Sequence, residues 1–333
     1  MGLFSAIYGA GASCKRLLYT KFRKPGKLPV TTVCIGNITT GGTGKTPAVI
    51  ALAEEAKKRG LRPCILTRGY KGTEKSVCFV TKGGPPLLDP VQSGDEPYLM
   101  ALLLKDVPIV MGRLRHEAGL FALQSLDPTP DIFILDDGFQ HWALQRDIDI
   151  VLIDATNPFG NGKLLPEGIL REPLSSLQRA SFIILSKADM AKDESIIDLK
   201  GRVKRINPDA HIYTSSHAPS ELTDSQGKSG DIHALKGKKV YAISAIANPA
   251  YFHATIRSLG ADIIEFKNFK DHYTYGQHDI DAIQKSAAGM DIVTTEKDMV
   301  KLSSLRLPDT IFALRVRFKI EQEYYNTLFR RIQ

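Results

Sequence analysis

At 333 residues, 43% hydrophobic and 24% charged, the chain holds enough apolar material for two modest domains or one large one, and its composition excludes a disordered protein. Lys and Arg outnumber Asp and Glu by 44 to 36, a balance of +8 that favours anionic partners; with no zinc finger, RNP motif or long basic block, nucleic acid is not the expected one. Four scattered cysteines, Cys14, Cys34, Cys64 and Cys78, form no C-x-x-C pair, which argues against zinc or a disulfide framework and fits a reducing compartment.

Residues 1–25 carry Leu3, Phe4, Ile7, Tyr8, Leu17, Leu18, Tyr19 and Phe22 interleaved with Lys15, Arg16, Lys21, Arg23 and Lys24. That pattern suits a helix lying in a membrane interface, and equally a helix packed on its own domain with solvated lysines. Gly9 and Gly11 weaken the helix near its middle. No apolar stretch is long enough to span a bilayer, and the order of a signal peptide is absent.

Apolar runs then alternate with helix-period segments. Strands are expected at 30–35, 64–67, 107–110, 132–135, 148–153 and 182–185, with helices at 47–59, 97–104 and 114–125. This order predicts an α/β fold, a mostly parallel sheet with helices on both faces and ligands beyond the carboxyl ends of its strands, and the glycine loop at 41–46 makes it of P-loop NTPase type. A Gly-, Pro- and Asn-rich stretch at 157–173 reads as a functional loop, and the polar residues 215–230 read as a surface loop. Strands at 240–244, 263–266, 292–295 and 311–316 and helices at 249–259 and 279–288 predict a second, smaller α/β lobe.

Between the first strand and the first helix stands Gly41-Gly42-Thr43-Gly44-Lys45-Thr46. Strand, glycine loop, Lys-Thr and helix together build a phosphate cradle. Backbone N–H groups turn onto phosphate oxygens, the lysine reaches the β/γ-phosphates, and the threonine hydroxyl binds Mg²⁺. The usual first glycine is replaced by Thr39, followed by Thr40. The chain is therefore expected to bind a nucleoside triphosphate.

Further motifs lie at or near strand ends. Ile132 to Leu135 run into Asp136-Asp137-Gly138, the way a P-loop protein presents an acid to Mg²⁺, and Phe139-Gln140-His141 follow. Asp95 and Glu96, in Gly94-Asp95-Glu96-Pro97, read from sequence alone as a helix cap; the other reading is a carboxylate that deprotonates an attacking hydroxyl. Thr67-Arg68-Gly69-Tyr70 and the cluster Arg113, Arg115 and His116 offer cations for phosphate, or simply a solvated surface. Asp271-His272 is more often structural than catalytic, and Thr294 to Asp298 could open a helix or touch nucleotide. Ser186-Lys187-Ala188-Asp189 is similar to the base-reading Asn-Lys-x-Asp of GTPases, with Ser186 in place of the asparagine.

The ordered set (Gly36 to Pro47, Thr67 to Tyr70, Gly94 to Pro97, Leu135 to His141, Leu165 to Pro173, Asp271-His272 and Thr294 to Asp298) resembles one family, tetraacyldisaccharide 4'-kinase, the lipid A 4'-kinase of outer-membrane-building bacteria. Glu167 departs from the small residue expected inside its loop. The resemblance implies ATP- and Mg²⁺-dependent transfer of the γ-phosphoryl to the 4'-hydroxyl of a lipid-anchored glucosamine disaccharide 1-phosphate. It implies a peripheral enzyme on the cytoplasmic face of the inner membrane, with no obligate protein partner. It divides the chain into an interfacial helix (1–25), a catalytic lobe (26–176) and a lobe closing over the nucleotide (177–333).

Carried over by position, Thr39 to Thr46 would hold ATP, with Lys45 on its β/γ oxygens. Thr46, Asp137, Asp136 and Glu96 would serve Mg²⁺. Asp95 would take the hydroxyl proton with His272 as its partner, which promotes it from cap to base. Tyr70, Arg113, Gln140, His141 and Arg171 would hold the sugar or its 1-phosphate. The rival reading is a P-loop ATPase or GTPase switch acting at a membrane or on a metal-site partner, with Ser186 to Asp189 as its best support.

Overall fold

The computed structural model describes residues 24–332 together with Ser5, Tyr8, Gly9, Gly11, Leu18 and Tyr19. The helix expected over 1–25 otherwise lies outside the described residues. Among the described residues no helix is long and apolar enough to cross a membrane.

Contacts divide the chain into two compact units, Met1–Ser216 with Phe318–Gln333, and His217–Arg317. The division falls at Ser216/His217 rather than after residue 176, and the chain returns to the first unit at its end.

The first unit contains, in chain order, β1 (Thr31–Gly36), α1 (Lys45–Lys58), β2 (Pro63–Thr67), β3 (Cys78–Lys82), α2 (Pro90–Ser93), α3 (Asp95–Leu103), β4 (Pro108–Met111), α4 (Arg115–Ser125), β5 (Ile132–Asp136), β6 (Ile148–Asp154), β7 (Phe182–Ser186), α5 (Asp193–Ile206) and the start of β8 (His211–Asp224). Its strand order is β8-β7-β6-β1-β5-β2-β4-β3, parallel throughout except for β3 against β4. Alternate residues face opposite sides of each strand, so two cores form. Cys34, Leu66, Phe133, Leu135 and Ile183 meet Ala118 and Ala122 of α4 and Leu199 and Val203 of α5. Val33, Ile35, Ile134, Ile150 and Ile184 meet Val49, Leu52 and Ala53 of α1 on the other side. This double burial explains why these strands read as continuous apolar runs. It also explains the boundary: β7 pairs with β6 and α5 packs on the same core, so 177–216 complete the first unit.

The second unit contains the rest of β8, β9 (Ser229–Gly230), β10 (Lys239–Ser244), α6 (Pro249–Ser258), β11 (Asp262–Asn268), α7 (Gln277–Ala287), β12 (Asp291–Thr295), α8 (Glu296–Leu302) and most of β13 (Ile311–Ile320). Strands run β11-β10-β12-β13 in parallel. Ile280 and Ile283 of α7 pack on one face, and Phe252 and Ile256 of α6 on the other.

The loop expected at 215–230 is instead largely strand, because β8 runs to Asp224. Its polar residues bond to β13: the Ser220 hydroxyl donates to the Arg315 carbonyl at 3.4 Å and that of Thr223 to Ala313 at 3.3 Å. After β13, α9 (Gln322–Phe329) returns to the first unit, where Tyr324, Tyr325, Leu328 and Phe329 share a core with Val49 and Leu52 of α1. Gln322 there donates to Glu55 at 3.1 Å, and Arg59 to Asn326 at 2.8 Å.

Candidate active site

β1 and β5 are adjacent and parallel, with Ile35 opposite Asp136. The chain leaves β1 for β2 on one side and β5 for β6 on the other, so a crevice opens at their carboxyl ends. The phosphate loop enters this crevice from β1. Gly44, at φ 85°, is the residue before α1, and no side-chain cap or first-turn acid accompanies it. The free amides and positive end of α1 therefore face the crevice uncompensated. Pro47 sits in the first turn, where its missing N–H costs nothing. The Asn37 amide donates to the Thr43 hydroxyl at 3.1 Å and braces the loop from within.

Thr39 and Thr40 have a structural reason to stand where a glycine is usual. Thr39 is buried and bridges Leu170 in antiparallel fashion. The Thr40 N–H donates to the Ile169 carbonyl at 2.7 Å, and the Arg171 N–H to the Ile38 carbonyl at 2.7 Å. The Gly- and Pro-rich stretch is thus laced to the phosphate loop, and this brings the Arg171 guanidinium to 3.0 Å from Asp137.

Two acids end β5, in different environments. Asp137 has φ 49°, a strained left-handed turn that directs its carboxylate to Lys45 at 3.5 Å. Burial pushes its pKa up, but Lys45, Arg171 and Arg115 together hold it below the usual carboxylate range. Asp136 is buried and accepts from the Thr67 hydroxyl at 3.1 Å. Burial, then repulsion from Glu96 and Asp137, pushes its pKa up to about 7. Glu96, Asp136 and Asp137 therefore converge as a set of acids whose charges oppose one another.

Asp95 is the first residue of α3; the residue before the helix is Gly94, so side-chain capping does not account for the acid. The capping box belongs instead to Asp89 and Gln92 of α2. Gly94 has φ 88°, and a Cβ there would lie 2.5 Å from the Tyr70 carbonyl oxygen. The turn carrying Arg68 and Tyr70 is also tied to this segment, since the Thr73 N–H donates to the Val91 carbonyl at 2.9 Å. Tyr70 itself is 56% exposed.

Arg113 is exposed, while Arg115 is buried and exerts its charge on Asp136, Arg68 and Asp137. Arg113, the one expected at the sugar or its 1-phosphate, is therefore open to solvent. Which arginine turns inward is set by the bend after β4, where Arg115 Nη1 donates to the Arg113 carbonyl at 3.2 Å. Gln140 is a brace: its amide donates to the Asn37 carbonyl at 2.9 Å and to Glu172 at 2.8 Å. Glu172, given no role from sequence, is buried and paired with Arg179 at 2.9 Å, and Arg179 stacks on Phe139 and Trp142. His141 follows in the same segment, half-buried, its carbonyl accepting from Arg146.

His272 lies in the second unit, in a left-handed turn at φ 59° after β11. Its Nε2 is 3.8 Å from Asp271 and 3.4 Å from the Lys297 ammonium. Thr294 to Asp298 open α8, with the Thr295 hydroxyl accepting from the Asp298 N–H at 3.0 Å.

The sequence profile described as tetraacyldisaccharide-1-P 4'-kinase matches residues 1–333. The chain belongs to this family. Proteins named tetraacyldisaccharide 4'-kinase from Halothermothrix orenii and Anaeromyxobacter dehalogenans are each 40% identical to it, the first over 91% of this chain and 82% of its own length, the second over 90% and 80%. The LpxK protein of Aquifex aeolicus, solved in complex with ATP, superposes with a TM-score of 0.79 at 33% identity, covering 99% of this chain and 97% of that one. The α/β fold and the kinase activity expected from the ordered motifs are those of the family, and the nucleotide-switch alternative is not favoured.

Proposed function

We propose that this 4'-kinase uses ATP and Mg²⁺ and works as a peripheral enzyme on the cytoplasmic face of the inner membrane, its acceptor a tetraacylated glucosamine disaccharide 1-phosphate. The observation that carries the ATP reading is the phosphate loop with Lys45 at 3.5 Å from Asp137, at an uncapped helix start. The solved ATP complex of the Aquifex relative supports it.

The residues fit a magnesium ion. Among the described residues no three acidic, histidine or cysteine side chains form a metal cage by themselves. Mg²⁺ does not need one: it keeps waters and phosphate oxygens and takes one or two carboxylates. Asp137 with Thr46 would hold it, beside Asp136 and Glu96, whose mutual repulsion a cation relieves. Bound there, it would neutralise charge on the phosphoryl group in transfer.

The chain's own groups do the rest. Lys45 and the first-turn amides of α1 fix the triphosphate tail. Asp95 takes the proton of the 4'-hydroxyl, the alkoxide oxygen bonds to the γ-phosphorus, and the bond to the β–γ bridging oxygen breaks to release ADP. His272 is assigned as the partner of Asp95 by the family resemblance alone. Tyr70, Arg113, His141 and Arg171 are assigned to the sugar and its 1-phosphate, and Gln140 acts by holding the wall behind them. Incubation with labelled ATP, Mg²⁺ and detergent-dispersed disaccharide 1-phosphate lipid tests the reaction: label must appear in the glycolipid, and phosphate released only to water would refute it.

A further inference from the structure

Ser186-Lys187-Ala188-Asp189 lies at the end of β7, and its first two residues bond to the phosphate loop from behind. Lys187 is 2% exposed, with its backbone at φ 57°. Its ammonium donates to the Gly42 carbonyl at 2.7 Å and pairs with Asp154 at the end of β6. The Ser186 hydroxyl donates to the Thr43 carbonyl at 2.9 Å. Two consecutive carbonyls of the glycine loop are thus drawn down onto the sheet.

The consequence follows from peptide planarity. In a trans peptide the C=O and the following N–H point in opposite directions. With the Thr43 carbonyl held toward Ser186, the Gly44 N–H points away from the sheet. With the Gly42 carbonyl held by Lys187, the preceding peptide plane is fixed too, and its Thr43 N–H closes the turn on the Gly41 carbonyl at 3.2 Å. Gly41 and Gly42 have no side chain to hold the loop and are exposed on its other side. Their orientation needs an anchor outside the loop, and a charged donor bonds a carbonyl more strongly than a neutral one.

We propose that Lys187, resting on Asp154 and assisted by Ser186, is a positioning residue for the nucleotide: it fixes the turn of the phosphate loop so that the loop's outward N–H groups, that of Gly44 among them, meet the triphosphate. This rests on the ATP reading above. The competing explanation is that Lys187 merely neutralises the half-buried Asp154.

The full chain, Lys187→Met, Lys187→Arg and the double variant Lys187→Met with Asp154→Asn decide between them. ATP affinity with Mg²⁺ is measured by calorimetry, and KM for each substrate by labelled transfer. Lys187→Met is expected to weaken ATP by about tenfold, near the worth of one charged hydrogen bond, with KM for the glycolipid changed by less than about twofold. The double variant, which no longer leaves a lone carboxylate, keeps that loss, and Lys187→Arg recovers part of it. If the single variant does not fold, the double variant alone carries the comparison. ATP affinity restored in the double variant, or equal loss for both substrates, overturns the proposal. Failure of the unaltered chain to bind ATP overturns the functional reading, and with it this role.

Discussion

Lys45 and Asp137 face each other across 3.5 Å at the mouth between β1 and β5, and Arg171 reaches the same carboxylate at 3.0 Å. The acid proposed for the metal side of the site thus also orients the lysine proposed for the phosphates. Replacing Lys45 with Ala removes the cation and leaves Asp137 to Arg171 and Arg115. Labelled transfer to the glycolipid should fall by about a thousandfold, since the transferred group is stabilised chiefly by positioned charge. Transfer at the unaltered rate would remove Lys45 from the mechanism.

Asp136 predicts a pH-dependent stability. Its pKa stands at about 7 in the fold against an ordinary 3.8, through burial first and then Glu96 and Asp137. A carboxyl that holds its proton more tightly when folded contributes stability fully below about pH 4, and that contribution is lost as pH rises through about 7. Without nucleotide or metal, Tm should fall by about 5 °C more between pH 5.5 and pH 8 than it does in Asp136→Asn. Parallel pH profiles for the two proteins would contradict the assignment.

On the proposed reading, Asp95 serves the chemistry and not nucleotide binding. Because Gly94 occupies the cap position, removing the Asp95 carboxylate takes away no cap. Asp95→Ala should lower kcat by about a hundredfold or more, the usual share of a general base, while ATP affinity stays within about twofold. Equal loss of turnover and nucleotide affinity would instead mark a structural acid.

Gly94 is held by both conformation and space, with φ 88° and the Tyr70 carbonyl 2.5 Å from where a Cβ would sit. Gly94→Ala must push the Tyr70 turn and the start of α3 apart. A loss of about 2 kcal/mol in stability is expected, with kcat reduced and ATP affinity little changed. Thermal scans and steady-state kinetics read both, and an unaltered kcat would show that Asp95 is placed by other contacts.

The phosphate crevice was legible in sequence because its walls are strands buried on both faces, ending in residues of strong chemical character. β1 and β5 announce Gly41 to Thr46 and Asp136-Asp137 directly. Elsewhere the signal is thin. β3 is a short edge strand with an irregular register near Phe79, and α5 buries only Leu199 and Val203 along a charged, glycine-interrupted helix. β8 was hidden by its polar residues, whose hydroxyls bond across to β13. In the site, residue types were readable but side-chain directions were not. Arg115 turns inward while Arg113 does not, Gln140 is engaged by Asn37 and Glu172, and Lys187 bonds the loop. Each of these depends on a turn geometry that no local pattern encodes.

The return of the chain at Phe318 has a consequence for synthesis. A ribosome delivers α1 early, yet the aromatic residues of α9 that cover its apolar side come only after His217–Arg317 has been translated. The unit that holds the phosphate loop is thus begun before the other and completed after it. Until Phe329 emerges, the nascent domain carries an uncovered greasy flank, the sort of surface that chaperones bind.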